Sequence, residues 1–466
     1  MRTVTRIMER VNPATETVLD PIDEHTDAAT EAAIERSVAA YETWRDRSLS
    51  QRRTLLAAAG AELRENTTEY AEIATREMGK PITDAIAEIE KCAWVCDHYA
   101  EQADAYLADE VIRSESHAKT FVSHEPIGPV LAIMPWNYPF WQVFRFAAPA
   151  LTAGNTGLLK HASNVPGCAK AIERVFERAG YPRGVFQSLI VGSDAISGII
   201  EDDRIRGVTL TGSERAGRAV GAAAGQELLP SVLELGGSDP FIVLDDADVE
   251  TAARVGTRAR TLNSGQSCIA AKRFIVHEAV YDAFVDAFIT QMESLSIGDP
   301  TDEATDIGPQ ARKDLMDDVH EQIQRTVEAG GTLETGGEPL DREGYFYPPT
   351  VVTDVPHDSP MGREEVFGPA AAVFSVPDEE TAVEVANDSA YGLGGSIWTA
   401  DLDRGEELAR RVESGCVFVN ELTKSDPRLP FGGVKQSGYG RELSEQGIKS
   451  FVNEKTVWVQ SADAQQ

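Results

Sequence analysis

An α/β fold built on parallel sheets is what the sequence predicts, and three observations predict it. A series of amphipathic helical patterns leads the chain. Short apolar runs then alternate with further helical patterns. The alternation starts again after residue 268. Strand–helix alternation is the mark of a parallel sheet covered on both faces. At 466 residues the chain can bury a large core and divide into two or three domains.

From about Asp27 to Leu107 successive helices are expected, with Leu55, Leu56, Ala59 and Leu63 at helical spacing. Val130 to Met134 reads as a strand ending in Pro-Trp-Asn. Thr156 to Lys160 reads as the next, followed by a helix over about Val165 to Ala179. Val185 to Val191 and Gly207 to Thr211 are two more strands, the second leading into a helix. Pro240 to Leu244 is a strand ending in an acidic turn. Beyond Cys268, a strand at Arg273 to His277 and a helix at Val280 to Ser294 precede a Gly-rich region. Val366 to Val376, Gly394 to Trp398 and Gly415 to Asn420 read as later strands. Ser114 to Glu125 is polar and β-prone, which suits a protruding hairpin, and Lys449 to Val459 has the same character. Such segments pair across subunits or serve as edge strands.

Asp and Glu number 76 against 43 Lys and Arg, a formal charge of −33 spread along the chain. Nucleic acid is disfavoured as a partner, because phosphate binding needs a basic surface. The acid serves either as an ordinary solubilising surface or as an adaptation to a cytoplasm at very high salt. We take the second: at 1 M salt the Debye length is about 3 Å, so dense carboxylates repel little. Five cysteines in so long a chain are not a disulfide framework. Cys92 and Cys96 share a helix face with no second Cys or His pair, so packing is expected there and no metal site. Cys168 and Cys416 lie in apolar neighbourhoods and read the same way. No apolar core follows the N-terminal Arg residues. The longest apolar run, near Phe140 to Ala153, is interrupted by Gln142 and Arg145. A cytoplasmic protein without membrane contact is expected.

Two Gly-marked turns carry the chemistry. Asn263-Ser264-Gly265-Gln266-Ser267-Cys268 holds a thiol, and Leu233-Glu234-Leu235-Gly236-Gly237-Ser238, 34 residues before Cys268, holds a carboxylate. Together they suggest an activated sulfur nucleophile with a base. Support for a dinucleotide is weaker, since no GxGxxG or Walker-type sequence follows a strand. Thr211-Gly212-Ser213 does follow a strand and open a helix, where backbone N–H groups can approach a phosphate; it is equally a tight turn with a Ser cap. Lys160 closes a strand, within reach of a ribose hydroxyl or simply solvated. Glu365-Val366-Phe367-Gly368-Pro369 offers a carboxylate to a ribose and a ring to stack, or merely begins a strand.

Taken in order, these motifs resemble the aldehyde dehydrogenase superfamily. The set is Pro135-Trp136-Asn137-Tyr138-Pro139, Lys160, Thr211-Gly212-Ser213, Glu234-Leu235-Gly236-Gly237, Gly265-Gln266-Ser267-Cys268, Glu365 to Pro369, and Pro430-Phe431-Gly432-Gly433-Val434-Lys435-Gln436-Ser437-Gly438. Leu159 to Ala162, Leu233 to Pro240 and Cys268 to Phe274 look like the short succinate-semialdehyde dehydrogenases that accept NAD or NADP. The resemblance implies a Rossmann-type cofactor domain, an α/β catalytic domain and a small β extension for oligomerisation. On that reading residues 1–112 and 128–235 bind NAD(P), 236–436 form the catalytic domain, and 113–127 with 437–466 form the oligomerisation and C-terminal segments of a homodimer or homotetramer.

The resemblance also implies roles. Cys268 would attack the aldehyde carbon as a thiolate. Asn137 and the Cys268 backbone N–H would hold the oxyanion, a task worth about 3 kcal/mol per donor. Glu234 would activate the water that hydrolyses the thioester, and Glu442 would pass protons onward or cap a helix start. Ile133, Trp136, Lys160, Ser163, Gly212, Ser213, Leu235, Glu365 and Phe367 would bind the cofactor. Many NAD-preferring relatives carry Glu where this chain has Ser163, so a 2′-phosphate meets less repulsion and NADP should be tolerated.

For the substrate, Arg145 and Trp141 are expected near the pocket. Arg145 would clamp a carboxylate or make a structural ion pair, and Lys424 and Arg428 are further candidate cations. Succinate semialdehyde is the first choice; glycolaldehyde, lactaldehyde and 2-oxoglutarate semialdehyde stay open. An acylating enzyme that uses coenzyme A, or a non-catalytic nucleotide-binding scaffold, would be the alternatives.

Overall fold

The computed structural model describes residues 6–115 and 118–461. Four helices open the fold: Asp27–Trp44, Leu49–Glu65, Thr67–Met78 and Ile82–Tyr106. Their starts follow capping rules. Thr26 Oγ1 accepts from Ala29 N at 3.2 Å, and Ser48 with Gln51 forms a reciprocal capping box. Ile82–Tyr106 packs on Leu49–Glu65 and on a later helix, Trp141–Ala153. Trp44, Leu56, Leu63, Ile89, Phe144 and Phe176 meet in the core between them. Cys92 and Cys96 are buried in this core, as is Cys168, while Cys416 is half-buried.

The first large sheet has strand order Gly438–Tyr439, Ser231–Glu234, Gly207–Thr211, Pro129–Met134, Thr156–His161, Phe186–Ser188. All pairings are parallel except the first. From Pro129–Met134 the chain builds outward on one side, then crosses back to place Gly207–Thr211 on the other. That reversal makes a switch point, and the carboxyl ends of the two strands flank a crevice there.

The chain leaves this sheet at Glu234 and enters a second at Asp239. The second sheet runs Thr332–Thr335, Thr350–Thr353, Ala370–Val376, Ala271–His277, Asp239–Val243, Ser396–Trp398, Phe418–Val419. Only its first pair is antiparallel. Phe241, Phe274, Phe284 and Phe288 pack against one face, and Ile242, Ile275, Ile323 and Phe374 against the other.

Several boundaries differ from expectation. The stretch Val366 to Pro369 stays outside the ladder, which begins at Ala370; Pro369 has no N–H to donate. Gly415 to Asn420 contributes only Phe418–Val419, and Asn420 closes that strand with φ of 55°. The region expected to be Gly-rich contains a regular helix, Lys313–Glu328. The N-terminal hairpin Ile7–Val11 with Val18–Asp23 carries no strong strand signal in the sequence.

The expected protruding hairpin is present as Glu110–Glu115 and Ala118–Pro126, its tip at 116–117 lying outside the described residues. Val452–Gln460 pairs antiparallel with Ala118–Pro126 in the same chain, from Val452 opposite Pro126 to Gln460 opposite Ala118. Among the described residues no helix is long and apolar enough to cross a membrane.

Candidate active site

The thiol sits on a strained loop that its surroundings hold in place. Helix Val249–Thr261 ends, and Asn263, Ser264 and Gly265 follow with φ of 57°, 54° and 77°. Left-handed backbone costs a non-Gly residue about 1 kcal/mol or more. Asn tolerates it best, and Gly265 is required for space as well: a Cβ there would sit 2.4 Å from the Gly368 carbonyl. Each strained residue is tied down. Asn263 N donates to Asp84 Oδ2 at 2.9 Å, and Asn263 Nδ2 donates to Asn137 O at 2.8 Å. Gly308 N donates to Ser264 Oγ at 2.9 Å, and Arg260 Nη2 to Gly265 O at 2.7 Å. Backbone strain that persists only because neighbours over-determine it is characteristic of functional loops.

Two cavities meet at Cys268. The larger, about 360 Å³, is the switch-point crevice. Its walls come from the turn after Pro129–Met134 (Trp136, Asn137), the turn after Gly207–Thr211 (Gly212, Ser213), and Leu235, Glu365 and Phe367. Ser213 caps helix Glu214–Gln226, its hydroxyl accepting from Ala216 N at 3.4 Å. The Trp136 and Phe367 rings meet edge to face, with centroids 5.7 Å apart. Glu365 Oε1 accepts from Gly237 N at 2.9 Å.

Lys160, next to last in its strand, is buried, and its ammonium makes no hydrogen bond or ion pair with the described residues; burial lowers its pKa. A buried cation without a partner suits a ribose hydroxyl or phosphate. Ser163 is exposed beyond it, and Ile133 is half-buried on the central strand. The residues present therefore fit a dinucleotide laid across the switch point.

The smaller cavity, about 150 Å³, lies on the other side of Cys268. Trp141, Gln142 and Arg145 enter it from helix Trp141–Ala153. That helix is aimed from a distance. Its N-cap, Phe140, has no side-chain acceptor, so Glu88 of the long N-terminal helix accepts from Phe140 N and Trp141 N, both at 2.8 Å. Glu88 is held in turn by buried Lys80.

Burial pushes the Cys268 thiol up to about 12, and the nearby Lys272 and Arg145 charges only partly offset this. The sulfur therefore rests as a thiol at neutral pH. Asn137 Nδ2 donates to Gln266 O at 3.1 Å, which leaves its second amide hydrogen for another acceptor.

Glu234 is buried, and neither carboxylate oxygen is hydrogen-bonded within the described protein. Burial raises its pKa well above the ordinary range, the Glu442 charge adds to this, and Arg145 and Arg441 oppose it. Its carboxylate rests against Gly432, where an added Cβ would lie 2.6 Å from Glu234 Oε1. Glu234 is not among the residues lining either cavity.

Arg145 lines the smaller cavity, yet its Nε is in ionic contact with Glu442, and Phe431 covers its guanidinium at 4.6 Å. The structural ion pair weighed for Arg145 is thus present. The loop cations are also engaged: Lys424 pairs with Glu421 at 2.7 Å and Arg428 with Asp426 at 2.6 Å. Arg428 does not reach the cavity wall.

Sequence reasoning missed Lys272. Its ammonium donates to Ser267 O at 2.9 Å and Cys268 O at 2.7 Å, and lies 3.4 Å from Glu365 Oε1. One buried cation thus joins the thiol loop to the carboxylate of the larger cavity. Two adjacent cations inside a buried strand, Lys272 and Arg273, were the available signal. Gly237 allows this closeness: a Cβ there would meet Cys268 O at 2.6 Å. Asp84 and Arg260, which brace the loop, were missed too. A larger surface cavity of about 560 Å³, around His25 and Asp194, holds no candidate nucleophile.

A switch-point crevice opening onto a cysteine between two α/β sheets defines a doubly wound protein with a thiol at its centre. The chain belongs to the aldehyde dehydrogenase family, whose pattern it matches over residues 2–457. It is 49% identical, over 96% of its length and 99% of the relative's, to a probable succinate-semialdehyde dehydrogenase [NADP(+)] of Synechocystis sp.. It is 49% identical to a succinate-semialdehyde dehydrogenase [NADP(+)] of Mycolicibacterium paratuberculosis, covering 97% and 96% of the two chains. Among solved structures, succinic semialdehyde dehydrogenase from Streptococcus pyogenes in complex with NADP+ superposes with a TM-score of 0.95 at 39% identity, covering 97% of this chain and all of that one.

Proposed function

We propose that the protein oxidises succinate semialdehyde to succinate with NADP or NAD, consuming one water. The observation that carries this is the position of Cys268, which lines both the switch-point crevice and the inner cavity. A thiol there can meet an aldehyde from one side and a nicotinamide from the other.

The larger cavity holds the cofactor. Trp136, Gly212, Ser213, Leu235, Glu365 and Phe367 border it; Ile133 and Lys160, paired on adjacent strands, and Ser163 are not among its lining residues and are assigned to the cofactor by the resemblance alone. Bound cofactor supplies the hydride acceptor. Cys268 gives up its proton to solvent water as its sulfur bonds to the aldehyde carbon, and Asn137 with the Cys268 N–H stabilises the oxyanion. Once the carbon is oxidised, it remains on Cys268 as a thioester. Glu234 turns from Gly432 toward Cys268 and takes a proton from the attacking water. Its raised pKa suits a base working near neutrality. The adjacent Glu442 receives the proton next. Hydrolysis releases succinate and restores the thiol.

Ser163 in place of an acid, and partner-free Lys160, favour tolerance of the 2′-phosphate. The NADP-named relatives point the same way. The test is a panel of succinate semialdehyde, butyraldehyde, glycolaldehyde, lactaldehyde and 2-oxoglutarate semialdehyde with each cofactor in molar salt. The highest kcat/KM is expected for succinate semialdehyde. Equal values for butyraldehyde would reject the substrate, and a preference for NAD above about a thousandfold would reject the role of Ser163.

The protein is a cytoplasmic homo-oligomer adapted to high salt on the same reading. Exposed Val111, Ile112, Trp458 and Val459 on the three-stranded sheet support the oligomer. Sedimentation in molar salt should give a dimer or tetramer, and a monomer would refute it.

A further inference from the structure

The cations at the wall of the inner cavity are not equivalent. Arg145 is engaged by Glu442, Arg258 donates to Asp84 at 2.8 Å, and Lys424 is held by Glu421. Lys91, half-buried on helix Ile82–Tyr106, has no carboxylate within ion-pair distance among the described residues. Its ammonium donates to Ser425 Oγ at 2.9 Å and lies 4.5 Å from the centre of the Trp141 ring.

Ser425 completes the arrangement. Its oxygen accepts from Lys91 Nζ at 2.9 Å and from Trp141 Nε1 at 3.1 Å. Both lone pairs are then used, so the hydroxyl hydrogen is free to donate to a third group. Lys91 keeps two further N–H donors. A cation with spare donors beside a hydroxyl obliged to donate is a receptor for an anion. Both line the cavity that holds Cys268.

We propose that Lys91, with the Ser425 hydroxyl, binds the carboxylate end of an aldehyde whose other end reaches Cys268, and so sets selectivity for acidic aldehydes. This rests on the carboxylated substrate of the proposed function. The indole of Trp141 forms the adjoining apolar wall against which the methylenes lie. Arg145 lines the same cavity and adds positive charge there, its Nε held by Glu442. The Lys91 pKa is lowered to about 8, first by burial and then by Arg145, while Glu88 and Asp426 act in the other direction. The group is mostly charged at neutral pH, and Glu88 on the same cavity wall is taken up by Lys80.

The experiment compares kcat/KM for succinate semialdehyde and for butyraldehyde, which has the same four carbons and no carboxylate. In the wild type the ratio should favour succinate semialdehyde. In Lys91→Met it should fall by about tenfold or more, the scale of a lost charge-assisted hydrogen bond, mainly through KM of the acid. Lys91→Arg should recover part of the ratio. If Lys91→Met does not fold, Ser425→Ala serves, with a fall of about threefold to tenfold in the same ratio. A Lys91→Met or Ser425→Ala protein that turns over butyraldehyde with a ratio within twofold of wild type overturns the assignment. A wild-type ratio near one instead overturns the substrate reading itself, before any variant is made.

Discussion

Two buried charge clusters flank Cys268, and they differ in how their carboxylates are satisfied. On one side Glu234 and Glu442 face Arg145 and Arg441, and none of their four carboxylate oxygens has a hydrogen bond of good geometry in the described protein. On the other side Asp239 and Glu365 surround Lys272. There Gly394 N donates to Asp239 at 3.0 Å and Gly237 N to Glu365 at 2.9 Å, while Lys272 ties down two carbonyls of the thiol loop. Buried polar groups are nearly always satisfied where their task is structural. Burial raises the carboxylates on both sides, but only Glu234 has both oxygens without a hydrogen bond or ion pair, which suits a group that exchanges a proton. On the proposed mechanism the Glu234 side reacts and the Lys272 side holds.

Substitutions on the two sides should therefore fail in opposite ways. Between them, Cys268→Ser should lower kcat by about a thousandfold or more while the protein stays folded, since no other group takes over a covalent nucleophile. Full activity in a folded Ser variant would end the mechanism. Glu234→Gln should cost about 10² to 10⁴ in kcat. The first turnover should survive, so rapid mixing should give a burst of reduced cofactor near one per site. Loss of the burst together with turnover would mean that Glu234 acts before the thioester, and would blur the contrast.

Lys272→Met attacks the other side. Breaking a buried pair while leaving Glu365 behind costs about 3–5 kcal/mol. The denaturation midpoint should drop clearly, whereas Glu234→Gln should not lower it. A Lys272→Met protein as stable as wild type, with only kcat reduced, would show that both clusters are catalytic.

The sequence told these two sides apart unevenly. The alternation of strand and helix was legible because it depends on local periodicity, and the thiol and Glu234 turns were legible because glycine marks backbone that approaches closely. Lys272 was not: two adjacent cations in an apolar strand mark a buried charge, but not the carbonyls and carboxylate it meets. Asp84 and Glu88 were hidden for a related reason. Each braces a segment from a helix far away in the chain, 179 residues for Asp84 to Asn263 and 52 for Glu88 to Phe140. Arg145 was seen, but its pairing with Glu442, close to the C-terminus, is a tertiary fact. Lys91 was overlooked because one lysine on an amphipathic helix reads as solvated surface.

The smallest effect separates the clusters most directly, because it needs no catalysis. Glu234 has a raised pKa in the folded state, with burial as the main cause and Glu442 next. Between its unfolded value near 4.5 and the raised folded value, the folded chain keeps a proton that the unfolded chain has lost. Stability therefore falls as pH rises through that window, by about 1.4 kcal/mol per pH unit for one such group. Glutamine at 234 has no proton to lose and removes this slope. Denaturation of wild type and Glu234→Gln in molar salt from pH 5 to 8 should show the variant gaining on the wild type as pH increases, until the folded carboxylate ionises. Glu442, whose pKa is raised by burial and restrained by Arg145, should give an effect of the same sign over a narrower pH window, removed by Glu442→Gln. A difference that stays level across this range would mean that Glu234 is as well satisfied as Glu365, and that the two sides of Cys268 are alike.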